Sequence, residues 1–389
     1  MFESLLPYRQ ESAVLMSQQI SSNVFPRALL LTGERYSAKV HLAMEAARVL
    51  SCKHGGANSC SCTSCTAFAT YGMANVVYIG NRNHAGRIEA ALTLLEELAT
   101  ERARIHLIRT VRLMLLQFHP ALQEGKASAN FDAASAVNEV LFELEMAPLE
   151  ALSESALQLR SALKPLYNHL KRSVALSIGQ VRRLQEWTMQ TSFSDEPRFL
   201  ILEGIEESTE GARNSLLKLL EEPPKHSYIM VLSEYPSRLL PTILSRLQRH
   251  HVRPFDDTMK NLVLSDLFSA DGNRYSSIEE FMLEKAAVPC KEISASAERY
   301  VDSICNRTEL AREELDLMCN ELDEAVRLEY FLKQLQKSVQ RRFSAKTCTH
   351  AFAQQLIQIS GEFSQKAFIF NQNGKVLIES LYYRLREVV

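Results

Sequence analysis

The sequence lacks an excess of charge of either sign. Its 389 residues include 44 Lys and Arg against 46 Asp and Glu, which gives a formal net charge of −2. A protein that holds nucleic acid through its overall charge is strongly basic, so that class is excluded. Any contact with nucleic acid must come from a local patch or through a partner.

Long apolar runs are also missing. No stretch of roughly 18 apolar residues is present, so we expect no membrane-spanning helix and no membrane partner. The first ten residues, MFESLLPYRQ, lack the basic segment followed by an apolar one that marks a secretory signal. We therefore expect a cytoplasmic protein, in which thiols stay reduced. With 46% hydrophobic residues the chain can bury a real core, and its length suggests two or three domains.

Residues 198–224, RFLILEGIEESTEGARNSLLKLLEEPP, are the most informative stretch. The apolar run at 199–202 indicates a buried strand, and Ser208 stands where a helix N-cap is expected. Apolar residues at helical spacing then predict a helix with one buried face, which Pro223 and Pro224 end. Strand, acidic turn and capped helix together form half of a nucleotide-binding type of core. A buried helix in any α/β protein is the simpler alternative.

A second strand, loop and helix lie near the N-terminus. The run PRALLLT predicts a strand, and GERYSAKV, residues 33–40, leads from it into a helix. A phosphate-binding loop has the pattern G-x-x-x-x-G-K-[ST], in which the backbone cradles phosphates, the lysine reaches them and the hydroxyl binds Mg²⁺. Gly33 and Lys39 fit, whereas Ala38 and Val40 replace the second glycine and the hydroxyl residue. The segment is therefore either an ordinary strand, loop and helix or the degenerate remnant of a nucleotide site.

Two blocks of sequence resemble a known family. Residues 214–224, NSLLKLLEEPP, are similar to the NALLKxLEEPP signature of bacterial DNA polymerase clamp loaders, which belong to the AAA+ family. Residues 242–247, TILSRL, resemble the TILSRC block of the same family, with Leu247 in place of cysteine. Within this family the chain is most similar to the delta-prime type of DNA polymerase III subunit.

The resemblance implies a particular fold and domain order. It implies an α/β AAA+ domain at 1–254, with a parallel sheet, flanking helices, a zinc module and a helical insertion. An all-α lid domain at 255–300 and an all-α collar domain at 301–389, through which subunits join, would follow. In the collar, the sequence pattern predicts helices at 309–335, 349–367 and 375–389.

The resemblance also implies a hydrolysis site that this chain no longer completes. Active relatives carry Asp-Glu after the central strand, where Asp supports Mg²⁺ and Glu polarises water, but this chain has Glu203 and Gly204. Phosphoryl transfer depends on positioning and charge stabilisation. We therefore expect no intrinsic ATPase activity, and ATP binding at Gly33 and Lys39 that is weak or absent.

Four of the eight cysteines cluster in one short segment. Cys52, Cys60, Cys62 and Cys65 have the spacing C-x7-C-x-C-x2-C, and the last pair has the usual spacing for tetrahedral zinc. Clamp-loader relatives carry a four-cysteine zinc module at this place, with one more residue in each of the first two gaps. We expect a structural Zn²⁺ on the four thiolates. A cluster of reduced thiols without metal is the alternative, and His54 is a further candidate ligand.

About ninety residues, roughly 84–174, have no counterpart in the family pattern. Apolar residues at helical spacing predict helices throughout this insertion, as an antiparallel hairpin or a small bundle, with a loop at 125–130. A basic stretch within it consists of Arg102, Arg104, Arg109 and Arg112. The stretch is either a solvated helix face or a contact for DNA or a partner.

The resemblance implies a subunit of the DNA polymerase III clamp loader that helps to load the sliding clamp on primed DNA without hydrolysing ATP. Its partners would be gamma/tau ATPase subunits and the delta subunit in a hetero-pentameric ring, with the clamp and primer-template DNA contacted through the complex. Arg246, preceded by Ser245, matches the position from which relatives place an arginine finger in the neighbouring nucleotide site. Two alternatives remain: an active gamma/tau-type ATPase, and a stand-alone DNA-binding AAA+-like protein that uses the insertion.

Overall fold

The chain forms two compact units, Met1–Ala286 and Ala287–Val389. The computed structural model describes residues 1–80, 83–122, 129–170, 176–190, 196–346, 348, 350–369 and 374–387. The boundary between the units falls inside the segment predicted as a lid, so residues 255–286 belong with the first unit.

A parallel sheet, five-stranded over the described residues, forms the centre of the first unit. Its strands are β1 (Ala28–Thr32), β2 (Val76–Gly80), β3 (Arg198–Glu203), β4 (Ser227–Ser233) and β5 (Gln248–His251), in the spatial order β2-β3-β4-β1-β5. Leu200 of β3 lies opposite Ile229 of β4, which in turn lies opposite Ala28 of β1. The inner strands are apolar on both sides, as expected for a parallel sheet whose two faces are covered. This confirms the α/β class and both predicted strands.

Helices cover both faces of this sheet. Those of the first unit are α1 (Leu6–Ser21), α2 (Lys39–Ser51), α3 (Thr63–Ala69), α4 (His84–Leu98), α5 (Glu101–Leu115), α6 (Ala129–Met146), α7 (Leu152–Leu170), α8 (Ile178–Met189), α9 (Glu210–Glu221), α10 (Pro241–Leu244), α11 (Asp257–Phe268) and α12 (Ile278–Lys285). Successive strand residues point to opposite faces. Leu29 and Leu31 of β1 therefore pack in a core with α1, α2 and α3, and Leu30 packs in a core with α8 and α9.

Helix α9 begins one residue later than the sequence predicted. Thr209, not Ser208, is its N-cap residue, and the Thr209 side chain accepts a hydrogen bond from the backbone N–H of Ala212 at 3.3 Å. Ser208 instead closes the preceding turn, because its backbone N–H donates to the carbonyl oxygen of Ile205 at 3.1 Å. The predicted buried face of the helix is confirmed, with Leu216 fully buried.

The insertion is a small helical bundle, as predicted. Helices α4, α5, α6 and α7 share a core of their own. The loop predicted at 125–130 lies mostly outside the described residues, which resume at 129 with α6. One face of α4 also packs outward: Ala90 and Leu94 join a cluster with Leu264 of α11 and Phe281 of α12. The bundle therefore packs directly against α11 and α12, the helices that follow the last strand of the sheet.

The described residues of the second unit form helices joined by short loops. It contains α13 (Cys290–Cys305), α14 (Arg312–Glu321), α15 (Ala325–Ser344), α16 (His350–Ile369) and α17 (Gly374–Arg386). The buried ring of Tyr300 packs edge-on against Phe331 and at a steep angle to Tyr382, with centroids 5.4 and 5.2 Å away. The single helix predicted at 309–335 is wrong, because the chain turns at 322–324, where Leu322 enters the core. In the described part of the chain, no helix is both long and apolar enough to span a membrane.

Candidate functional site

The loop between β1 and α2 keeps the backbone shape of a phosphate loop. Gly33 has a φ of +149°, and a Cβ on it would lie 2.4 Å from the carbonyl oxygen of Val252, so only glycine fits. Ala38, the N-cap residue of α2, adopts a left-handed φ of 65° at the position where the phosphate-loop pattern has glycine. The loop geometry therefore persists although one of its two glycines is replaced.

Lys39 is bound by the loop itself. Its Nζ donates to the carbonyl oxygens of Gly33 and Glu34, both at 2.6 Å, and the side chain is buried. Val40, which replaces the hydroxyl residue, is buried in the core between α2 and the sheet. The ammonium group thus satisfies the loop's own carbonyl oxygens, and the next residue offers no metal ligand.

The carboxyl ends of the neighbouring strands meet beside this loop, which is where open α/β sheets bind ligands. Glu203, at the end of β3, accepts a hydrogen bond from the hydroxyl of Tyr78 on β2 at 2.6 Å. Gly204 follows with a φ of +71° and has no side chain to activate water. Gly204, which stands where active relatives have the catalytic glutamate, therefore only forms a turn of the backbone. The adjacent carboxylate, that of Glu203, is hydrogen-bonded to Tyr78.

Sequence reasoning missed the role of Glu206 at this edge. The hydroxyl of Ser233, at the end of β4, donates to Oε1 of Glu206 at 2.7 Å. Burial raises the pKa of Glu206, against the effect of that hydrogen bond. The only signal in the sequence was the acidic run after β3, which does not tell which carboxylate turns inward.

Arg246 lies after α10 in the same unit. Its Nη2 forms an ion pair with Oε1 of Glu221 at 2.6 Å, and its Nη1 donates to the carbonyl oxygen of Thr242 at 2.7 Å. The hydroxyl of Ser245 also donates to the Thr242 carbonyl oxygen, at 3.1 Å. The structure therefore joins the two sequence blocks of the family resemblance, because Glu221 belongs to the first and Arg246 to the second.

The clustered cysteines lie between α2 and α3, and three of them, Cys52, Cys60 and Cys62, belong to one compact group that could hold a metal. The Sγ of Cys52 lies 3.6 Å from that of Cys60 and 3.9 Å from that of Cys62. Four thiolates held about 2.3 Å from a tetrahedral zinc lie about 3.8 Å apart, so these distances fit the metal. His54 belongs to the same group: its ligand atom and those of Cys52, Cys60 and Cys62 all lie within 4.8 Å of one another.

Cys65 sits on the inner side of this group, buried against Arg48. The Nη1 of Arg48 donates to Cys65 Sγ at 3.1 Å, and Cys65 also hydrogen-bonds with Cys52. Burial raises the pKa of Cys65 to about 12, while the Arg48 hydrogen bond acts against it. A hydrogen bond from the Cys65 backbone lowers the pKa of Cys62 to about 6, which favours the thiolate, the form that binds metals.

The basic stretch of the insertion is engaged inside the first unit. Arg102 donates to the carbonyl oxygen of Asp266 at 2.8 Å, and Arg104 donates to that of Ala147 at 2.6 Å. Arg109 donates to the carbonyl oxygen of Ala69, the last residue of α3, at 2.7 Å. Arg112 donates to the carbonyl oxygen of Thr70 and to the carboxylate of Glu145. Arg102, Arg109 and Arg112 therefore fasten the bundle to neighbouring segments, whereas Arg104 acts within the bundle.

The sheet order, the loop after β1 and the acidic turn after β3 form an α/β domain that is consistent with the AAA+-like class. Comparison with protein families then identifies the family. Residues 9–256 match the family described as DNA polymerase III, delta subunit, which is more than half of the chain. The chain belongs to this family.

Individual relatives agree with the family assignment. The chain is 35% identical over 141 residues to DNA polymerase III subunit delta′ of Bacillus subtilis, covering 35% of this chain and 42% of that protein. It is 41% identical over 71 residues to the delta′ subunit of Pseudomonas aeruginosa, covering 18% of this chain and 22% of that protein. The matched segments thus span less than half the length of these relatives.

Among solved structures, a DNA polymerase III gamma subunit-related protein of Thermotoga maritima is similar. The match is 19% identical, covers 55% of this chain and 80% of that chain, and has a TM-score of 0.28.

Proposed function

We propose that the chain is a non-hydrolysing, delta-prime-type subunit of the DNA polymerase III clamp loader, which helps to load the sliding clamp on primed DNA. The observation that carries this proposal lies in the β1–α2 loop. There, Nζ of Lys39 donates hydrogen bonds to the carbonyl oxygens of Gly33 and Glu34 in the same loop. For ATP to bind, that lysine would have to exchange two short hydrogen bonds for phosphate oxygens. No hydroxyl follows it to hold Mg²⁺, since Val40 is buried.

The other side of the site supports the same function. Hydrolysis needs a metal-supporting carboxylate and a group that orients water. Glu203 is held by Tyr78, and Gly204 has no side chain. The first alternative, an active gamma/tau-type ATPase, would need a metal-binding hydroxyl at Val40 and a water-orienting group at Gly204, which these residue types do not have.

Nucleotide titration and a phosphate-release assay on the purified chain test this proposal. We expect phosphate release at the background rate and little or no binding of a fluorescent ATP analogue. The matched variant Lys39→Ala should leave both readings unchanged. Turnover that disappears in Lys39→Ala would instead identify an ATPase of the gamma/tau type.

Within the ring, the proposed active contribution of this chain is Arg246, supplied to the nucleotide of a neighbouring gamma/tau subunit. A guanidinium offers rigid donors for phosphate oxygens and keeps its charge. The Arg246–Glu221 pair is partly exposed, and such pairs contribute only about 0–1 kcal/mol. The arginine can therefore leave Glu221 at little cost when a phosphate approaches.

The reconstituted loader tests the role of Arg246. Arg246→Ala should assemble normally but slow DNA-stimulated ATP hydrolysis, and Arg246→Lys should restore it only in part. Glu221→Gln is the matched control, because it releases the same arginine without removing it and should not slow hydrolysis. If Arg246→Ala complexes hydrolyse ATP at the wild-type rate, the proposed role is wrong; failed assembly would assign Arg246 a structural role.

A structural Zn²⁺ on Cys52, Cys60, Cys62 and Cys65 completes the proposal. When bound, the ion would cross-link the segment between α2 and α3 and leave no open position for chemistry. Arg48 supports Cys65 as the fourth ligand, since a charged donor hydrogen-bonded to the sulfur stabilises a ligating thiolate. His54 is the competing ligand, and it is exposed.

Elemental analysis of purified variants separates the two ligand sets. We expect about one zinc per chain in the wild type and in His54→Gln, and none in Cys65→Ser. Zinc in Cys65→Ser together with no zinc in His54→Gln would assign the fourth ligand position to His54. Absence of zinc from the wild type, with no uptake on addition, would leave the group as reduced thiols.

The remaining partners are part of the same proposal, which the family membership supports. We place the chain beside gamma/tau and delta subunits in a hetero-pentameric ring in the cytoplasm, with the clamp and primer-template DNA reached through the complex. In this proposal, residues 255–300 form the lid domain, and residues 301–389 form the collar through which the subunits join. Copurification through a tag on this chain should recover those subunits.

A further inference from the structure

One face of the inserted bundle combines exposed apolar side chains with acidic ones. On α6, Glu139, Phe142, Glu143 and Met146 are spaced three and four residues apart, so they form one continuous helix face. Phe142 is 64% exposed and Met146 is 73% exposed. The opposite face of the same helix, with Val137, Leu141 and Leu144, is fully buried in the bundle core. Most of the surface of these two large apolar side chains is therefore exposed to water on the outer face.

Charge on this part of the insertion is strongly one-sided. Residues 129–159 contain six acidic residues and neither lysine nor arginine, in a chain whose net charge is only −2: Asp132, Glu139, Glu143, Glu145, Glu150 and Glu154. Glu145 turns inward and pairs with Arg112. Glu139 and Glu143 stay exposed beside Phe142. The outer face of α6 is thus an apolar strip with acidic flanks.

We propose that this face of α6, defined by Glu139, Phe142, Glu143 and Met146, docks a basic amphipathic helix of a protein partner. Phe142 and Met146, one turn apart, match the spacing by which two helices interlock their apolar residues. Flanking charges select the partner in such pairs, and carboxylates select lysine and arginine. Aromatic residues and methionine are enriched in protein interfaces, and methionine adapts to uneven surfaces.

The same charges argue against nucleic acid at this face. A phosphate backbone would meet the carboxylates of Glu139 and Glu143, and nucleic-acid sites are positively charged. The arginines of α5 that would attract phosphate are instead bound within the first unit, Arg112 to Glu145 among them. The charges on α6 therefore favour a protein partner over nucleic acid at this face.

Fluorescence anisotropy with the full-length chain tests the proposal. The probe is a labelled synthetic helix with leucines along one face and lysines beside them; a second peptide carries glutamates in place of the lysines. The test variants are Phe142→Ser with Met146→Ser, and Glu139→Lys with Glu143→Lys. Leu157→Ser on α7 is the matched control, because Leu157 is 64% exposed like Phe142 but lies outside the face. Circular dichroism verifies that each variant is folded.

We expect the lysine peptide to bind the wild type and Leu157→Ser alike. Each double variant should weaken it at least roughly tenfold, as expected when two anchoring contacts are lost. The glutamate peptide should not bind the wild type. Lysine-peptide binding that both double variants leave unchanged would overturn the proposal, as would failure to bind the wild type. A duplex DNA probe whose binding is lost in Phe142→Ser with Met146→Ser would reassign the face to nucleic acid.

Discussion

Replacement of Arg112 by methionine should loosen the inserted bundle from the helix that carries Cys65. Arg112 forms a two-pronged pair with Glu145, with Nη1 and Nη2 at 3.0 and 2.7 Å from the carboxylate oxygens, and Nη1 also donates to the carbonyl oxygen of Thr70 at 3.2 Å. One side chain thus joins α5, α6 and the end of α3. Methionine keeps the unbranched stem and removes only these polar contacts.

The position of the pair sets the size of the effect. The side chains of Arg112 and Glu145 are 14% and 26% exposed. Exposed pairs contribute about 0.2–1 kcal/mol, whereas breaking a fully buried pair destabilises by about 3–5 kcal/mol. We therefore expect Arg112→Met to lower the free energy of unfolding by about 2 kcal/mol, between these limits. Arg112→Met combined with Glu145→Gln should be less destabilising than the sum of the two single changes, because the pair is lost only once.

Urea unfolding followed by tryptophan fluorescence measures this effect. Trp187, the single tryptophan of the chain, lies on α8 and reports on the first unit. Arg253→Met is the control, because the Arg253–Glu11 pair in the same unit is 75% and 70% exposed and should change stability by less than about 0.5 kcal/mol. An Arg112→Met value no larger than that of Arg253→Met, or fully additive double-variant values, would refute the reasoning.

Three further predictions concern the first unit. Burial, together with the charges of Arg109 and Arg87, lowers the pKa of His106 to about 4 from its ordinary 6.5. The contribution of neutral His106 to stability is complete above pH 6.5 and is lost as the pH falls toward 4. His106→Leu should therefore flatten the acid side of a stability–pH curve measured by urea unfolding. Lys39→Met should lower stability by about 1–2 kcal/mol, because it removes the two hydrogen bonds from the buried ammonium group to the carbonyl oxygens of Gly33 and Glu34, and thermal unfolding without nucleotide measures this loss. A zinc chelator should lower the unfolding midpoint of the wild type but not that of Cys52→Ser, as calorimetry can show.

The sheet and the general site were predictable because local sequence determines them. An apolar run between charged residues is buried wherever it lies, and a glycine such as Gly33 is required by its own backbone angles. The clustering of Cys52, Cys60, Cys62 and Cys65 was likewise visible, since the whole segment is short. Local competition caused the small errors: Ser208 and Thr209 are both good caps, and the preceding turn decided which one was used.

Contacts between distant segments were not predictable from local pattern. The arginines of α5 form a basic stretch in sequence, but their acceptors lie on other segments, such as Glu145 and the carbonyl oxygens of Ala69 and Asp266. Arg246 meets Glu221 across 25 positions, and His54 approaches Cys60 only because the chain turns between them. The exposure of Phe142 also depends on how the bundle packs, with the neighbouring Leu141 in its core.

The backbone shape of the β1–α2 loop has physical reasons that do not depend on a bound nucleotide. The carbonyl oxygen of Val252, just after β5, closes on Gly33, so a side chain at that position would disturb the sheet whether or not a phosphate is present. Lys39 holds the other side of the loop by its own hydrogen bonds. Val40 is buried in the core, where an apolar side chain stabilises the fold and a hydroxyl would need a partner. Gly33 and Lys39 therefore serve the fold, so their presence is weak evidence of nucleotide binding. The informative positions are Val40 and Gly204, where the residue present cannot perform the catalytic task.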